Sequence, residues 1–405
     1  MNEEAKSQQF GKWSLSFCII FLVFGIFLRL WPTAGFHSIG FDEHQYSKYV
    51  EMAAKRGLWN YGAVIDSYIV EQVHQSEAIV PATRIGFLWP ATLLAEAGLT
   101  PYKALRTTSL MASIALLVAT AAMAYRFSSP ALTVGVTALL AVAPLQIYLA
   151  QRALVDGYFA FLAVLCAWFF LEALRASKTT GWVVAYGATL FLLVLTKENA
   201  AFVFAALLAT AAVLFWARIS RPGLSLLVVS FLAPAFALCV LAVFMGGIPE
   251  LIIFYRMFVQ KSTVIPYSLR FQDGAWYRYL VDFIVLSPAI VILVLGRVFQ
   301  LGKKSANDLF WALFLGFSFV LMSSLRYGMS LRFAAYWDPP LRWLAMSQLL
   351  VVANRIPPRI RAVALFAALL ALGGIDLSQY HRLFVKGRIY DPVSAELLRA
   401  SDLIK

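Results

Sequence analysis

Long apolar runs, separated by short polar connections, fill most of this chain of 405 residues. A helix needs about 20 apolar residues to cross the hydrocarbon core of a membrane. By that measure the sequence predicts an all-α polytopic membrane protein with about eleven transmembrane helices. The predicted spans lie near residues 13–31, 104–125, 131–149, 155–174, 181–196, 199–217, 224–246, 279–297, 308–325, 340–353 and 361–375.

The composition also indicates a lipid environment. Hydrophobic residues make up 61% of the chain and charged residues 14%, and a water-soluble domain could not hide that much apolar surface. The formal net charge of +13 comes from Lys and Arg in small groups between the apolar runs, so we expect membrane lipids as partners and no nucleic acid. Cys18, Cys166 and Cys239 lie inside apolar runs, which argues against a disulfide framework.

The distribution of cations sets the predicted orientation, because cytoplasmic connections carry an excess of Lys and Arg. With the N-terminus in the cytoplasm, every predicted inner connection holds a cation, whereas most acidic residues fall on the other face. We therefore expect the ionisable chemistry on the non-cytoplasmic side. The inner cations are Arg126; Arg175 and Lys178; Arg218 and Arg221; Arg297, Lys303 and Lys304; and Arg355, Arg359 and Arg361.

The predicted outer loop 32–103 is the longest connection, and loops of such length in compact proteins are usually functional. Its apolar stretch 83–99 is short and contains Pro90 and Glu96, so we place it in the membrane interface rather than across the membrane. The expected organisation is a transmembrane module 1–246 that includes this loop, a second transmembrane module 247–375 with outer loops 247–278 and 326–339, and a short non-cytoplasmic tail 376–405.

The segment that opens this loop predicts an amphipathic helix on the membrane surface. Its apolar residues Phe41, Tyr46, Tyr49, Val50 and Ala53 recur at helical spacing.

Asp42, near the start of that segment, has two interpretations. It is spaced from Gln45 as a helix cap in a capping box, which would be a structural role. Alternatively, this carboxylate acts as a general base beside Glu43 and His44.

Charged residues at the ends of other spans also have two interpretations each. Arg84 either reaches phospholipid headgroups or pairs with a bound phosphate. Arg152 and Asp156 either form a local ion pair that closes a turn, or Asp156 faces Asp42. Lys197 and Glu198 form either a structural pair or, less specifically, a phosphate contact.

A later predicted loop places Arg326, Arg332 and Tyr336 at the outer interface, where an aromatic belt is the ordinary explanation and substrate binding the alternative. The loop histidines His37, His44 and His74 do not have the spacing of a zinc site. We expect no required metal, although Asp42 and Asp156 could together bind a divalent cation.

The ordered set of these motifs resembles the GT-C glycosyltransferases, nearest the dolichyl-phosphate-mannose protein O-mannosyltransferase and lipid A aminoarabinose transferase family. The resemblance rests on Asp42-Glu43 after the first span, Arg152-x-x-x-Asp156 before the fourth, and Thr196-Lys197-Glu198 after the fifth. It covers about residues 13–217 and extends weakly to Arg332.

The resemblance implies a GT-C fold with Asp42 as the catalytic carboxylate, Glu43 as its motif partner and Asp156 as the second acid. Arg84 falls where the family often has a basic residue before Pro-Pro, but Ile85-Gly86 follows here. Without the large soluble domain of the eukaryotic enzymes, the chain is expected to be a prokaryotic inner-membrane protein with its active site facing the periplasm or exterior.

The implied reaction is inverting transfer of a monosaccharide from a polyprenyl-phosphate donor to a hydroxyl of a lipid, glycan or protein acceptor. Arg84, Lys197 and Arg332 are the expected phosphate ligands. Other expected substrate contacts are His44, Arg152, Glu198 and Tyr336.

Three other functions remain open from the sequence. The first is a transporter or flippase, although the ionisable residues gather at the outer ends of the spans rather than at the midplane. The second is a non-catalytic subunit of a glycan-assembly complex. The third is an enzyme that uses an oligosaccharide on a lipid pyrophosphate.

Overall fold

Nineteen α-helices follow one another along the residues that the computed structural model describes, 3–31, 39–175, 180–302, 305–325 and 328–405, and these residues contain no strand. Side chains are described from residue 15 onward. Arg326, His37, Lys178, Lys303 and Lys304 lie outside the described residues. The all-α prediction is confirmed.

The first half of the chain forms α1 (Glu3–Leu30), α2 (Phe41–Arg56), α3 (Gly62–His74), α4 (Ile85–Glu96), α5 (Pro101–Phe127), α6 (Pro130–Ala141), α7 (Pro144–Ala150), α8 (Val155–Arg175), α9 (Thr180–Thr196) and α10 (Ala200–Trp216). The second half forms α11 (Leu224–Phe244), α12 (Ile248–Ser262), α13 (Pro266–Phe271), α14 (Arg278–Leu286), α15 (Pro288–Val298), α16 (Ala306–Ser323), α17 (Asp338–Ala353), α18 (Pro358–Tyr380) and α19 (Ser394–Ala400). Short 3₁₀ helices cover Leu58–Asn60 and Leu331–Trp337, and a π-helical turn covers His381–Lys386.

Several of these helices are suited to cross a membrane, so the chain is an integral membrane protein. Five described helices are long and apolar enough, or six if the bent pair α6 and α7 forms one span. The predicted number of eleven is not reached on these criteria, partly because proline interrupts two predicted spans. Pro144 begins α7 after a 56° bend, and Pro288 begins α15 just after α14 ends. Proline lacks the N–H that would continue the preceding helix.

The helix that opens the predicted outer loop, α2, packs against the rest of the protein. α2 packs against α4 and α5, and Tyr46, Tyr49, Val50 and Ala53 are all buried there, as the helical spacing predicts. Phe41 is the exception, because its side chain is exposed. The apolar face of α2 therefore contacts neighbouring helices.

The stretch predicted to lie in the interface forms α4, whose 12 residues are fewer than a span requires. A glycine in its first turn lets α4 approach α9 closely. A Cβ atom on Gly86 would lie 2.4 Å from Oγ1 of Thr196 at the end of α9. This contact brings Arg84, just before α4, beside the turn that contains Lys197 and Glu198.

The C-terminal segment returns to the same end of the helix bundle. α18 continues past residue 376, where the tail was predicted to begin, because Asp376 is buried and paired with Arg342. The π-helical turn then packs Phe384 against Tyr148, with ring centroids 4.4 Å apart. After a turn, α19 packs against α14.

Candidate active site

A cavity of about 920 Å³ opens at the end of the bundle where α2 and α8 begin and α9 ends. Distant parts of the sequence supply its charged side chains. They come from the start of α2, the residue before α4, the start of α8, the turn after α9, the 3₁₀ helix and the C-terminal tail. These residues are Asp42, Arg84, Asp156, Lys197, Arg332 and Asp391, and Glu77, Arg388 and Glu396 also line the cavity.

Arg332 lines the cavity and lies between three of its carboxylates. Its Nη2 is 2.7 Å from Oδ2 of Asp42, its Nε is 3.5 Å from Oδ1 of Asp391, and its Nη1 is 3.9 Å from Oδ2 of Asp156. Burial alone would lower the pKa of Arg332, but Asp42, Asp391 and Asp156 outweigh it and raise that pKa. The guanidinium therefore stays charged, and it brings Asp42 and Asp156 to one site.

The two predicted catalytic acids differ in accessibility. The side chain of Asp42 is 22% exposed, whereas that of Asp156 is 2% exposed. Asp156 also accepts a hydrogen bond from Nζ of Lys197 at 2.5 Å. Asp42 is therefore open to a molecule that enters the cavity, while Asp156 is enclosed and lies against Lys197 and Arg332.

Lys197 is a buried ammonium group with one carboxylate partner. Its Nζ lies 3.8 Å from the centroid of the Phe333 ring as well as against Asp156. Burial lowers the pKa of Lys197 to about 8, and the attraction of Asp156 only partly offsets this effect. The charge on Lys197 is thus sensitive to pH and to any anion that enters the cavity.

Arg84 faces the cavity from the α4 side. Its Nη2 is 2.8 Å from Oε2 of Glu198, and its Nη1 donates to the hydroxyl of Tyr46. Burial would lower the pKa of Arg84, but Glu198 and Tyr46 outweigh it and raise the pKa. Arg84 is therefore a permanent cation whose orientation is set by α2 and by the turn after α9.

Glu43, rather than Asp42, stabilises the first turn of α2. Its carboxylate accepts a hydrogen bond from the N–H of Gly40 at 2.9 Å and another from the N–H of Ala153 at 2.8 Å. The prediction that Asp42 caps this helix is wrong, because Asp42 already lies inside the first turn.

Glu43 is also the ion-pair partner of Arg152. The interpretation that Arg152 forms a local ion pair with Asp156 is therefore wrong. Both members of the Glu43–Arg152 pair are buried. The pair joins the start of α2 to the turn before α8, and so fixes Asp42 relative to Asp156.

Five residues predicted to act at the site do not line the cavity: Glu43, His44, Arg152, Glu198 and Tyr336. His44 is exposed. It follows Asp42 by two residues, and residues at that spacing lie on nearly opposite faces of a helix, about 200° apart. Tyr336 packs among core rings such as Phe159 and Phe314. A 3₁₀ helix has about three residues per turn, so the side chains of Arg332 and Tyr336 point in different directions.

The C-terminal tail contributes residues to the cavity that no sequence pattern singled out. Asp391 accepts hydrogen bonds from Nε2 of Gln272 at 2.7 Å and from the hydroxyl of Ser330, and it faces Arg332. Tyr390 also lines the cavity. The Asp391-Pro392 pair indicates a turn, but no local pattern links that turn to Arg332, far away in the sequence.

The carboxylates considered as metal ligands are already neutralised by side chains. Asp42 contacts Arg332, and Asp156 contacts both Lys197 and Arg332. A divalent ion between Asp42 and Asp156 would have to displace a guanidinium, so these residues do not fit one. In the part of the chain that the structure describes, no group of three or more His, Cys, Asp or Glu side chains could hold a metal.

No protein-family model and no curated protein matches the sequence. Solved structures do match. The crystal structure of ArnT from Cupriavidus metallidurans bound to undecaprenyl phosphate superposes with a TM-score of 0.59 and 16% identity, over 92% of this chain and 64% of that one. The oligosaccharyltransferase AglB from Archaeoglobus fulgidus, in complex with an inhibitory peptide and a dolichol-phosphate, superposes with a TM-score of 0.58 and 12% identity, over 91% of this chain and 56% of that one.

A further crystal structure of the Archaeoglobus fulgidus oligosaccharyltransferase, in complex with Zn and sulfate, gives a TM-score of 0.60 at 13% identity, over 89% of this chain and 53% of that one. The chain therefore spans less than two thirds of the length of these proteins. At such identities the likeness shows the fold alone. This agrees with the resemblance found in the sequence.

Proposed function

We propose that the protein is an inverting glycosyltransferase that moves a monosaccharide from a polyprenyl-phosphate donor to an acceptor hydroxyl. The main supporting observation is that Arg332 has hydrogen-bond donors that the described residues leave unused. Its Nε and Nη1 lie within 4 Å of carboxylates, but neither has a hydrogen-bond partner among the described residues. A buried cation with unused donors beside an accessible carboxylate suits a site that binds an anion and removes a proton.

Asp42 is the proposed general base. The acceptor hydroxyl attacks the anomeric carbon while Asp42 takes the hydroxyl proton. The bond between that carbon and the phosphate oxygen breaks, and the phosphate leaves with the electron pair. A single displacement of this kind needs one accessible carboxylate next to the sugar, and Asp42 meets that need.

Arg84, Lys197 and Arg332, three of the cations that line the cavity, are the proposed phosphate ligands. Negative charge grows on the departing phosphate, and fixed Arg or Lys side chains in a buried site stabilise it without rearranging. Arg84 and Arg332 offer planar guanidinium groups suited to phosphate oxygens, and Lys197 offers a compact charge. The ArnT structure is bound to undecaprenyl phosphate and the AglB structure to a dolichol-phosphate, and lipid phosphates of this kind would be the leaving group of the proposed reaction.

Asp156 is proposed to position Lys197 and Arg332 rather than to touch the substrate. Its burial and its contacts with both cations support this role. When a phosphate enters, it can draw Arg332 away from Asp42, and Asp42 is then free to accept a proton. No step in this mechanism passes through a metal ion.

The cavity is proposed to open on the non-cytoplasmic side of a prokaryotic inner membrane, with the N-terminus in the cytoplasm. The distribution of Lys and Arg among the connections supports this orientation. The acceptor is a hydroxyl on a lipid, glycan or protein.

The test is sugar transfer in liposomes from a panel of synthetic polyprenyl phosphates that carry single hexoses or pentoses. The unaltered protein is compared with Asp42→Asn. Glu51→Gln is the matched control, because Glu51 is an exposed acid on the same helix that pairs with Lys55 outside the cavity. We expect transfer or donor hydrolysis with at least one donor, lost in Asp42→Asn and retained in Glu51→Gln. Inactivity with every donor, or full activity of Asp42→Asn, would favour a transporter or a non-catalytic subunit.

A further inference from the structure

The position of Tyr390 is tied to a glycine at the start of the site helix. Gly40 has φ −73° and ψ 164°, an extended conformation open to any residue, so glycine is not needed there for its backbone freedom. However, a Cβ atom on Gly40 would lie 1.9 Å from the Tyr390 ring and 2.0 Å from its hydroxyl oxygen. The phenol of Tyr390 therefore rests on the backbone of Gly40, two residues before Asp42.

Other contacts hold Tyr390 in this place. Its ring centroid lies 4.4 Å from the guanidinium carbon of Arg152, which is itself bound to Glu43. The backbone carbonyl of Tyr390 accepts a hydrogen bond from the hydroxyl of Tyr148. The ring is thus fixed from several sides, as expected of a side chain that recognises a ligand.

The hydroxyl of Tyr390 is not satisfied by the residues that the structure describes. Its oxygen is buried and has no hydrogen-bond partner among the described residues, although Tyr390 lines the cavity. Burying a polar group without a partner is unfavourable, and a bound ligand could supply the partner. Burial also raises the pKa of Tyr390, so the phenol keeps its proton and can both donate and accept.

We infer that the hydroxyl of Tyr390 hydrogen-bonds a hydroxyl of the sugar being transferred and so contributes to sugar specificity. This inference rests on the proposed function. Arg84, Lys197 and Arg332 already provide the charges that a phosphate needs, whereas Tyr390 offers an uncharged group close to Asp42. In the proposed reaction Asp42 lies beside the anomeric carbon, so a neutral group next to Asp42 meets the sugar ring.

The experiment compares two ligands on the full-length protein in lipid nanodiscs: undecaprenyl phosphate without a sugar, and the hexosyl or pentosyl phosphopolyprenol of the donor panel that supports transfer. Tyr390→Phe removes only the hydroxyl. We expect it to raise KM for the sugar donor about tenfold with little change in kcat. The dissociation constant of undecaprenyl phosphate should stay within about twofold of that of the unaltered protein, because Tyr390 does not contact the phosphate.

Three further variants separate recognition from folding. Gly40→Ala keeps the hydroxyl but forces the ring away, so it should reproduce the rise in KM. Gly62→Ala is its control, since Gly62 also begins a helix but a Cβ there would meet only an ordinary contact at 3.4 Å. Tyr68→Phe is the control for Tyr390→Phe, because the Tyr68 hydroxyl is likewise buried without a hydrogen-bond partner among the described residues but lies outside the cavity.

The outcomes are distinguishable. An unchanged KM in Tyr390→Phe, or the same change in Tyr68→Phe, would overturn the assignment of Tyr390 and leave the proposed function intact. Equal weakening of both ligands would mean that Tyr390 contacts the phosphate, which also overturns the sugar contact. Failure of the unaltered protein to bind undecaprenyl phosphate would overturn the proposed function and this inference with it.

Discussion

Two groups of buried charges in this protein differ in how completely their hydrogen bonds are satisfied. The cavity cluster comprises Asp42, Asp156, Lys197, Arg332 and Asp391. The interior cluster comprises Asp338, Arg342, Asp376 and Ser287. Each has an arginine between carboxylates, but only members of the first line the large cavity.

In the interior cluster every nitrogen of the Arg342 guanidinium has a partner. Nε donates to Asp338 at 3.2 Å, Nη2 donates to the Ser287 hydroxyl at 3.0 Å, and Nη1 donates to Asp376. Arg332, in contrast, has two nitrogens that make no hydrogen bond to any described residue. Buried charge alone therefore does not indicate an active site. A buried charge beside a cavity does indicate one when some of its hydrogen-bond donors are unused, because those donors can bind a ligand.

The largest effect should come from the accessible carboxylate of the cavity cluster. Asp42→Asn should reduce kcat by about 10²- to 10⁴-fold, the usual contribution of a general base. Donor binding should persist, since the cations remain. Stopped-flow binding and transfer assays on one preparation would check both. A variant that loses binding and transfer in equal measure would mean that Asp42 holds Arg332 in place and does not act as a base.

The two arginines give a matched test of the comparison. Arg342→Met should lower the free energy of unfolding by about 3 kcal/mol, because it leaves two buried carboxylates without a cation, while transfer per folded molecule is retained. Arg332→Met should abolish most transfer but destabilise less, because its carboxylates face a cavity that water can enter.

Thermal unfolding in detergent, combined with transfer normalised to folded protein, would measure both effects. The comparison between the clusters fails if the two variants behave alike.

The pH dependence should report Lys197. Its pKa is lowered to about 8, so its positive charge is present below pH 8 and is lost as the pH rises through that value. If the cation binds the donor phosphate, kcat/KM should fall about tenfold per pH unit above pH 8. Lys197→Arg should move this decline to higher pH. A pH profile that is the same in both proteins would remove Lys197 from the donor site.

The smallest effect should follow removal of divalent ions. Since Asp42 and Asp156 are already neutralised by Arg332 and Lys197, adding a chelator should change the transfer rate by less than about twofold. A loss of activity that Mn²⁺ or Mg²⁺ restores would show that a metal displaces the guanidinium in the working enzyme.

Much of the fold could be predicted because its causes are local in sequence. Apolar runs and turn prolines specify helices in lipid, and charges such as Arg84, Asp156 and Lys197 stand out at the ends of those runs. The number of spans was harder to predict, because Pro144 and Pro288 divide apolar runs that are continuous by composition.

The pairing of charges could not be predicted because it depends on tertiary contacts. The sequence places Arg152 four residues from Asp156, yet the fold pairs Arg152 with Glu43, more than a hundred residues away. Tyr390 and Asp391 were missed for the same reason. Their importance depends on the path of the tail, which the Tyr148–Phe384 stack directs back to the cavity.

Asp42 is proposed to remove the proton of the acceptor in a single displacement, and azide provides a direct test of this role. Azide attacks without losing a proton, so it needs no base but still needs the cations that stabilise the leaving phosphate. We predict that azide restores turnover to Asp42→Asn, that the product is a glycosyl azide with inverted anomeric configuration, and that Arg332→Met is not restored. No recovery in Asp42→Asn, or a product with retained configuration, would contradict the account.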